Sequence, residues 1–489
     1  MDFSAPHLQE ILDRISDLKE ILKDEENLFN KELRKADEQN SASAKNLLHY
    51  RALRTVDLTE FQNALGFMGL SRLARAQQHV YGSIHCIEYI IRRLLGETME
   101  APIDPDLSIK KGIETLRLNT TSLLGPPMFN RRVRIMVTLP SDAADNYQVV
   151  RNIVKNGANC VRINCAHDNE NSWLKMIENV KRAESEFGRS VRIAMDLAGP
   201  KIRTGGIQHT FKLKDGDSLF VHKEGPTENE TSKGYHISCG SKELFKAIQP
   251  GEPVLFDDGK ISGIVEDKDE NHFQIKIKGQ PEGKKLKQDK GINVPDTALK
   301  LGGLTEKDKK DLAFVVKHAD LVNISFVNTP KDVKAVIKQL RELDVKEGFG
   351  LVLKIETKKA FVNLTELLLA AMRWHPFGVM IARGDLAVET GWTNMAVLQV
   401  EILNICSAAH APVIWATQVL ESLAKRGVPS RSEITDAAAS LKAECVMLNK
   451  GPYILDAIRA LDKILTDMEL YQSKSSSLSP KLAIETNLI

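Results

Sequence analysis

The sequence lacks several features that would assign it to a special class of protein. Within its 489 residues, no apolar run approaches the ~18 consecutive residues that a membrane-spanning helix needs, so no membrane partner is expected. No C-x-x-C pair occurs, and the cysteines are scattered along the chain, which predicts reduced, mostly buried thiols. The six cysteines are Cys86, Cys160, Cys165, Cys239, Cys406 and Cys445.

An excess of one charge is missing as well. Lys and Arg number 67 against 65 Asp and Glu, for a formal net charge of +2, which removes the strongest argument for a nucleic-acid partner. A transit peptide would be Arg-rich and acid-poor, whereas the first predicted helix carries the acids Glu10, Asp13, Asp17, Glu20 and Asp24. We therefore expect a cytoplasmic protein.

Residues 1–130 have the pattern of an all-helical domain followed by a linker. Ser71 is the expected N-cap of a long helix that includes Leu73 and Val80, and prolines between 102 and 127 indicate the linker. A single apolar stripe on the first helix consists of Leu8, Ile11, Leu12, Ile15, Leu18 and Leu22. We expect the helical region to pack against the domain that follows it, a barrel by the pattern described below, or the stripe to mediate a homo-oligomer.

A helix-turn-helix at Leu58–Ala76 is a less favoured interpretation of the same region. It would place Arg72 and Arg75 on the second helix, but the fit to the motif is loose. A generic amphipathic bundle explains the pattern, so we expect no binding to nucleic acid.

From Arg131 onward, short apolar runs alternate with amphipathic helical patterns. Eight candidate strands are Val133–Leu139, Cys160–Cys165, Ile193–Leu197, Leu321–Ser325, Leu351–Ile355, Gly378–Ile381, Pro412–Ala416 and Cys445–Leu448. This alternation predicts an α/β fold, a (β/α)₈ TIM barrel built from 131–203 and 298–475, which together approach the ~250 residues of a typical barrel.

Between the third and fourth strands, residues 204–297 change to short alternating strands with turn signals such as Asp215-Gly216 and Asp258-Gly259. This segment is predicted to be a small β-barrel lid domain inserted into a barrel loop. Residues 476–489 are expected to be a C-terminal tail.

The ends of the predicted strands carry the residues that could do chemistry. Arg162 and Asn164 lie two apart on the second strand, as do Lys354 and Glu356 on the fifth, so each pair projects from one face. Asp385 follows the sixth strand and Thr417 the seventh. Because active sites of such barrels lie at the carboxyl ends of the strands, these groups should converge. Two carboxylates, Glu356 and Asp385, could hold Mg²⁺ or Mn²⁺, and the cations suit a phosphorylated substrate.

Seven short motifs in this order resemble the pyruvate kinase family. They are R-I-N-C-A-H (162–167), G-P-K-I-R-T-G (199–205), D-D-G (257–259), K-G-I-N-V-P (290–295), K-I-E (354–356), A-R-G-D-L (382–386) and A-T-Q-V-L-E-S (416–422). The resemblance implies transfer of a phosphoryl group from phosphoenolpyruvate to ADP, giving pyruvate and ATP.

The resemblance also implies roles for individual residues. Phosphoenolpyruvate would bind a metal held by Glu356 and Asp385, and the substrate phosphate would lie against Arg162, Lys354 and the amides near Gly384. Lys354 would stabilise the enolate, and Thr417 would lie near the methylene carbon of the enolate, where the proton is added. The nucleotide would be bound by Asn164, His167 and, from the lid, Lys290.

Three departures from the family pattern alter these expectations. Most members hold K⁺ with Asn, Ser, Asp and a Thr carbonyl and have a Glu nearby. Asn164 and Asp196 remain here, but the Ser, Thr and Glu are Ala166, Leu197 and Lys201, so we expect the Lys201 ammonium to replace K⁺. The S-G-E-T-A segment beside the nucleotide is shortened to Asn449-Lys450-Gly451-Pro452. The C-terminal effector domain of the family is not expected in this chain.

Two alternative functions stay open at this point. The shortened nucleotide loop suggests a metal–enolate lyase that cleaves an oxo acid without ADP. The other is a catalytically weak metabolite sensor or scaffold, in which the helical domain transmits the signal.

Overall fold

A computed structural model describes residues 4–98, 105–207, 210–225, 234–299, 303–472 and 474. The predicted tail 476–489 and Pro102 of the predicted linker lie outside these residues. Among the described residues, no helix combines the length and apolar character needed to cross a membrane.

The amino-terminal region is helical, as predicted from its periodicity. Its helices are α1 (Ala5–Leu28), α2 (Asn30–Leu33), α3 (Ser41–Leu53), α4 (Thr59–Phe67), α5 (Val80–Leu94) and α6 (Ile109–Leu124), with 3₁₀ turns at Glu38–Asn40, Gln77–His79 and Pro105–Leu107. The apolar stripe of α1 is buried within the chain, where α1 packs on α3 and α5. The stripe therefore stabilises this region internally.

The predicted N-cap at Ser71 is wrong, and the less favoured helix-turn-helix does not form. Leu73 adopts a left-handed backbone (φ 58°) and α5 begins only at Val80, so Ser71 does not cap the long helix. For the same reason Arg72 and Arg75 lie outside any helix, and no helix-turn-helix forms at 58–76. The apolar periodicity continues through this segment, but the helical backbone conformation does not.

The predicted linker is also a helix in part. Helix α6 lies between the prolines, and its carboxyl end places Leu123 and Leu124 in an apolar cluster with inward-facing strand residues, including Met136 and Val352. The Leu123 side chain packs against Gly350 and Gly378 of the barrel. A Cβ atom added at either glycine would lie 2.5 Å from a Leu123 Cδ atom, so a larger residue would clash. Helix α6 thus closes the amino-terminal end of the barrel.

A polar interface joins the helical region to the barrel. Asn40 Nδ2 donates to the carbonyls of Met372 (3.0 Å) and Trp374 (3.1 Å). Asn46 Nδ2 donates to the carbonyl of Ala408 at 2.8 Å. The helical region therefore packs against the barrel, which is one of the two expectations for it.

Eight parallel strands of the described chain form the predicted barrel, in which neighbouring strands follow each other in chain order and the last pairs with the first. They are β1 (Arg134–Thr138), β2 (Cys160–Asn164), β3 (Arg192–Asp196), β12 (Leu321–Ile324), β13 (Gly350–Ile355), β14 (Phe377–Ala382), β15 (Val413–Ala416) and β16 (Cys445–Leu448). The strands are almost entirely buried because both faces are covered, which explains their continuous apolar sequence.

Helices follow the strands and surround them. They are α7 (Tyr147–Lys155), α8 (Glu170–Phe187), α10 (Glu306–His318), α11 (Pro330–Glu342), α12 (Lys358–Val362), α13 (Leu364–Ala371), α14 (Arg383–Thr390), α15 (Met395–Ala408), α16 (Glu421–Arg426), α17 (Arg431–Ala439) and α18 (Ile454–Glu469), with 3₁₀ turns at Ser141–Ala144 and Ser440–Lys442. Their N-caps follow the sequence: Thr305, for example, forms a capping box with Asp308 at the start of α10.

The insertion after β3 forms separate sheets with their own core. Its first and seventh strands pair with each other, and its other six strands make one curled sheet. The elements are β4 (Phe211–Leu213), β5 (Ser218–His222), β6 (Tyr235–Ser238), α9 (Lys242–Ala247), β7 (Pro253–Phe256), β8 (Ile261–Lys268), β9 (His272–Lys278), β10 (Lys284–Leu286) and β11 (Ile292–Asn293). We propose that this lid spans 204–297, between the barrel segments 131–203 and 298–475 and after the region 1–130.

Candidate active site

A buried ionic network lies at the carboxyl ends of β2, β3 and β13. Arg162 Nη2 lies 2.8 Å from Asp196 Oδ2, and Lys354 Nζ lies 3.4 Å from the same oxygen. Lys354 also contacts Glu356 Oε1 at 3.0 Å and donates to Ser325 Oγ at 2.8 Å. The Lys354 side chain is only 11% exposed, so it is a nearly desolvated cation held by two carboxylates.

The pKa shifts of the network follow from burial and from neighbouring charges. Burial raises the pKa of Glu356 above its ordinary value, because the lowering effect of Lys354 does not offset burial and the charge of Asp385 raises the pKa further. Burial opposes ionisation of Asp196, but Arg162 and Lys354 bring its pKa below the ordinary value. Burial would lower the pKa of Lys354, but Glu356 and Asp196 raise it, so this ammonium stays protonated at neutral pH.

The predicted metal carboxylates are neighbours in the fold. Asp385 lies in the first turn of α14, and its charge acts on Glu356 at the end of β13. Glu356 Oε2 accepts a hydrogen bond from the amide of Phe326 at 2.6 Å, which fixes its orientation. No group of three or more His, Cys, Asp or Glu side chains suited to a metal occurs in the described ranges. A two-carboxylate site of hard oxygens still fits Mg²⁺, which takes few protein ligands and completes its shell with water and substrate oxygens.

Arg383 anchors the loop that carries Asp385. Its guanidinium lies against both carboxylate oxygens of Asp436 (2.5 and 2.9 Å) and donates to the carbonyl of Thr417 at 2.6 Å. Thr417, itself left-handed at φ 65°, accepts a hydrogen bond at Oγ1 from the amide of Gly384 at 2.9 Å. Arg383 therefore fixes the position of Thr417 and of the loop that carries Asp385.

Two of the three predicted nucleotide residues line one cavity. Asn164 and His167 face a cavity of about 260 Å³ together with Arg162, Lys425 and Lys450. The third lies elsewhere, because Lys290 Nζ is paired with Asp257 of the lid at 3.0 Å. Asp257 also binds Lys260, and these two lysines lower its pKa against the effect of burial.

Lys201 lies against the predicted metal site. Its ammonium is 2.7 Å from Asp385 Oδ1 and 3.8 Å from Asp258 Oδ1 of the lid. The lid approaches the barrel here a second time, where Asn293 Nδ2 donates to Glu389 at 3.1 Å. Lys201 thus joins the lid to the loop of Asp385.

The oxygens of the family's K⁺ site already have donors in this chain. Asn164 Oδ1 accepts from the amide of Ala166 at 3.1 Å, and Asp196 Oδ1 accepts from Asn323 at 2.5 Å. The carbonyl of Leu197 accepts from Ser325 Oγ at 2.8 Å.

Sequence reasoning missed several supporting residues. Ser325, Asn323 and the Phe326 amide come from the fourth barrel strand and its end, and Asp436 comes from α17. The strand itself was predicted, and the rule that sites lie at strand ends could have directed attention to Ser325. Nothing in the local sequence marks Asp436.

The chain is similar to proteins of one family over most of its length. The sequence profile described as pyruvate kinase, barrel domain, matches residues 130–457. The chain is 34% identical to pyruvate kinase from Debaryomyces hansenii over 363 residues, which cover 70% of this chain and 67% of the relative. It is 31% identical to pyruvate kinase from Methylorubrum extorquens over 348 residues, covering 70% and 69% of the two chains. For pyruvate kinase from Thermotoga maritima the values are 30% over 347 residues, covering 69% and 71%. With the closed barrel and the charged cluster at its mouth, these similarities show that the chain belongs to the pyruvate kinase family of phosphotransferases.

Proposed function

We propose that this chain transfers the phosphoryl group of phosphoenolpyruvate to ADP and releases pyruvate and ATP in the cytoplasm. The observation that carries the proposal is the buried Lys354 ammonium, held between Asp196 and Glu356 beside the two-carboxylate site. A fixed, desolvated cation at that place is suited to an anion that develops during the reaction.

The reaction breaks the bond between phosphorus and the enol oxygen of phosphoenolpyruvate, and a β-phosphate oxygen of ADP forms the new bond. Arg162 and the amides at the start of α14, near Gly384 and Asp385, bind the transferring phosphoryl group. The electron pair stays on the enol oxygen, and Lys354 stabilises the resulting enolate electrostatically. A proton added to the methylene carbon, with Thr417 positioned nearby through water, completes pyruvate.

Glu356 and Asp385 are the residues that would hold Mg²⁺ or Mn²⁺. The bound ion would supply charge neutralisation for the phosphoryl oxygens and the carboxylate of the substrate. Glu356 contributes an oxygen fixed by the Phe326 amide, and Asp385 contributes one that now accepts from Lys201.

We further propose that the reaction does not need K⁺. Ala166 offers no side-chain oxygen, and the remaining oxygens at Asn164, Asp196 and Leu197 are occupied by protein donors. Lys201 supplies a permanent positive charge, which lies 2.7 Å from Asp385 Oδ1.

ADP is proposed to occupy the cavity lined by Asn164, His167 and Lys450. Lys290 would join it from the lid by exchanging Asp257 for a phosphate, as the lid excludes water from the transferring group. Phosphoenolpyruvate and ADP or ATP are thus the expected ligands, and self-association is not required by this arrangement.

The test is the stoichiometry of products in Na⁺ buffer with Mg²⁺, with and without ADP, and after addition of EDTA. We expect one ATP for each pyruvate, no turnover without ADP and no turnover with EDTA. Pyruvate released without ADP would overturn the kinase in favour of a lyase. Phosphoenolpyruvate binding without any turnover would overturn it in favour of a sensor.

A further inference from the structure

A cleft lies far from the barrel mouth, between the helical region and the helix that closes the barrel. It has a volume of about 630 Å³ and is lined by α3, α6 and the turn before β14. That volume is within the range of small-molecule sites, and its position is distinct from the active site. Four lining residues carry the argument: Lys45, Lys111, Asn119 and His375.

Asn119 presents an unsatisfied acceptor to this cleft. Its side chain is more than nine-tenths buried, with a residue exposure of 7%. Its Nδ2 donates to the carbonyl of His410 at 2.8 Å, which fixes the orientation of the amide. The Oδ1 atom accepts no hydrogen bond within the described part of the chain. An amide oxygen in this state takes its donor from water or from a ligand in the cleft.

His375 presents a second acceptor. Asn40 Nδ2 donates to two carbonyls, so Asn40 Oδ1 is the atom that faces His375 Nδ1 at 3.3 Å. Nδ1 must therefore carry the ring proton, which leaves Nε2 as an acceptor. Burial lowers the pKa of His375, so the ring is neutral at pH 7.

Charges of both signs complete the lining. Lys45 of α3 and Lys111 of α6 provide two cationic donors from opposite walls, and Glu38 and Asp106 are the acidic lining residues. Two neutral acceptors and two ammonium groups in the lining suit a molecule that has both hydroxyl donors and an anionic group.

We propose that this cleft is a binding site for a small phosphorylated polyol. Its phosphate would lie between Lys45 and Lys111, and its hydroxyl groups would donate to Asn119 Oδ1 and His375 Nε2. Because α3 and α6 form opposite walls, the ligand would join the helical region to the helix that closes the barrel. This proposal does not depend on the phosphotransferase reaction.

The test uses glycerol 3-phosphate as the probe and the full chain, with inorganic phosphate and glycerol as separate arms. Hydrogen exchange followed by mass spectrometry locates the binding, and calorimetry measures it. We expect protection in 38–45 and 109–122, with tighter binding of glycerol 3-phosphate than of either component. Lys111→Ala should weaken binding about tenfold or more, the cost of one charge-assisted hydrogen bond, and the exposed Lys110→Ala serves as the matched control.

Three results would overturn the proposal. Protection confined to the barrel mouth would show that the probe binds only at the active site. Equal affinity for inorganic phosphate and glycerol 3-phosphate would remove the role of the two neutral acceptors. Absence of protection at millimolar probe would show that the cleft holds only water. None of these results bears on phosphoenolpyruvate turnover, which is measured separately.

Discussion

Acidification should weaken the contact between the helical region and the barrel through one buried histidine. His410 lies just before β15 and is 2% exposed. Its Nε2 donates to the carbonyl of Gln78 at 2.8 Å, so its Nδ1, 2.9 Å from Ser43 Oγ, must accept. Only the neutral ring can make both bonds, and burial lowers its pKa from 6.5 to about 4.

The sign of the effect follows from proton binding in the two states. Between pH 6.5 and about 4 the unfolded chain protonates His410 and the folded chain does not, so stability falls as the pH falls through this window. Proton linkage at this one site, with these pKa values for the unfolded and folded states, gives a loss of about 2 kcal/mol in the free energy of unfolding between pH 7 and pH 5.

The assay is urea unfolding followed by circular dichroism at pH 7 and pH 5 for three proteins. His410→Gln removes the titrating group, and His7→Gln on the first turn of α1 is the control. The wild type and His7→Gln should each lose about 2 kcal/mol more than His410→Gln over this range. Parallel pH dependences for the wild type and His410→Gln would refute the reasoning.

Three further predictions concern the barrel closure, the cation requirement and the metal loop. Leu123→Ala should lower the free energy of unfolding by about 2–5 kcal/mol, because it leaves a cavity against Gly350 and Gly378. The control Leu118→Ala, at an exposed position, should change it little. Equal effects of the two substitutions would contradict the closing role of α6. Turnover should be equal in Na⁺ and K⁺ buffers, and Lys201→Glu should reduce it in Na⁺ buffer; a strict K⁺ requirement of the wild type would contradict the role given to Lys201. Arg383→Lys should reduce kcat about 10- to 100-fold by losing the paired contact with Asp436, and Asp436→Asn should do the same; unchanged kcat would show that the loop is held by other contacts.

The barrel and the centre of its site are predictable from local sequence. Strands buried on both faces are continuous apolar runs, and residues two apart at a strand end share a face, so Arg162 with Asn164 and Lys354 with Glu356 are placed by spacing alone. The rule that sites lie at carboxyl ends then brings Asp385 and Thr417 to the same place.

The rest depends on contacts that spacing does not encode. Asp436 reaches Arg383 across 53 residues, and Lys201 finds Asp385 across 184. Prolines at the two ends of α6 suggest a linker because they terminate helices, but the helix between them is stabilised by packing of Leu123 and Leu124 inside the barrel. Similarly, the apolar spacing from Leu73 to Val80 is typical of one helix, but the left-handed turn at Leu73 is a tertiary feature.

The most direct test of the central claim is single-turnover pyruvate formation from phosphoenolpyruvate with Mg²⁺ and ADP by the wild type, Lys354→Met and Lys358→Met. Lys358 is an exposed lysine of α12, four residues along the chain, and controls for loss of a positive charge. Removing the Lys354 ammonium should slow pyruvate formation by at least about 100-fold, whereas Lys358→Met should retain the wild-type rate. A Lys354→Met enzyme that forms pyruvate at the wild-type rate would contradict the assignment of enolate stabilisation to this residue and, with it, the proposed reaction at the barrel mouth.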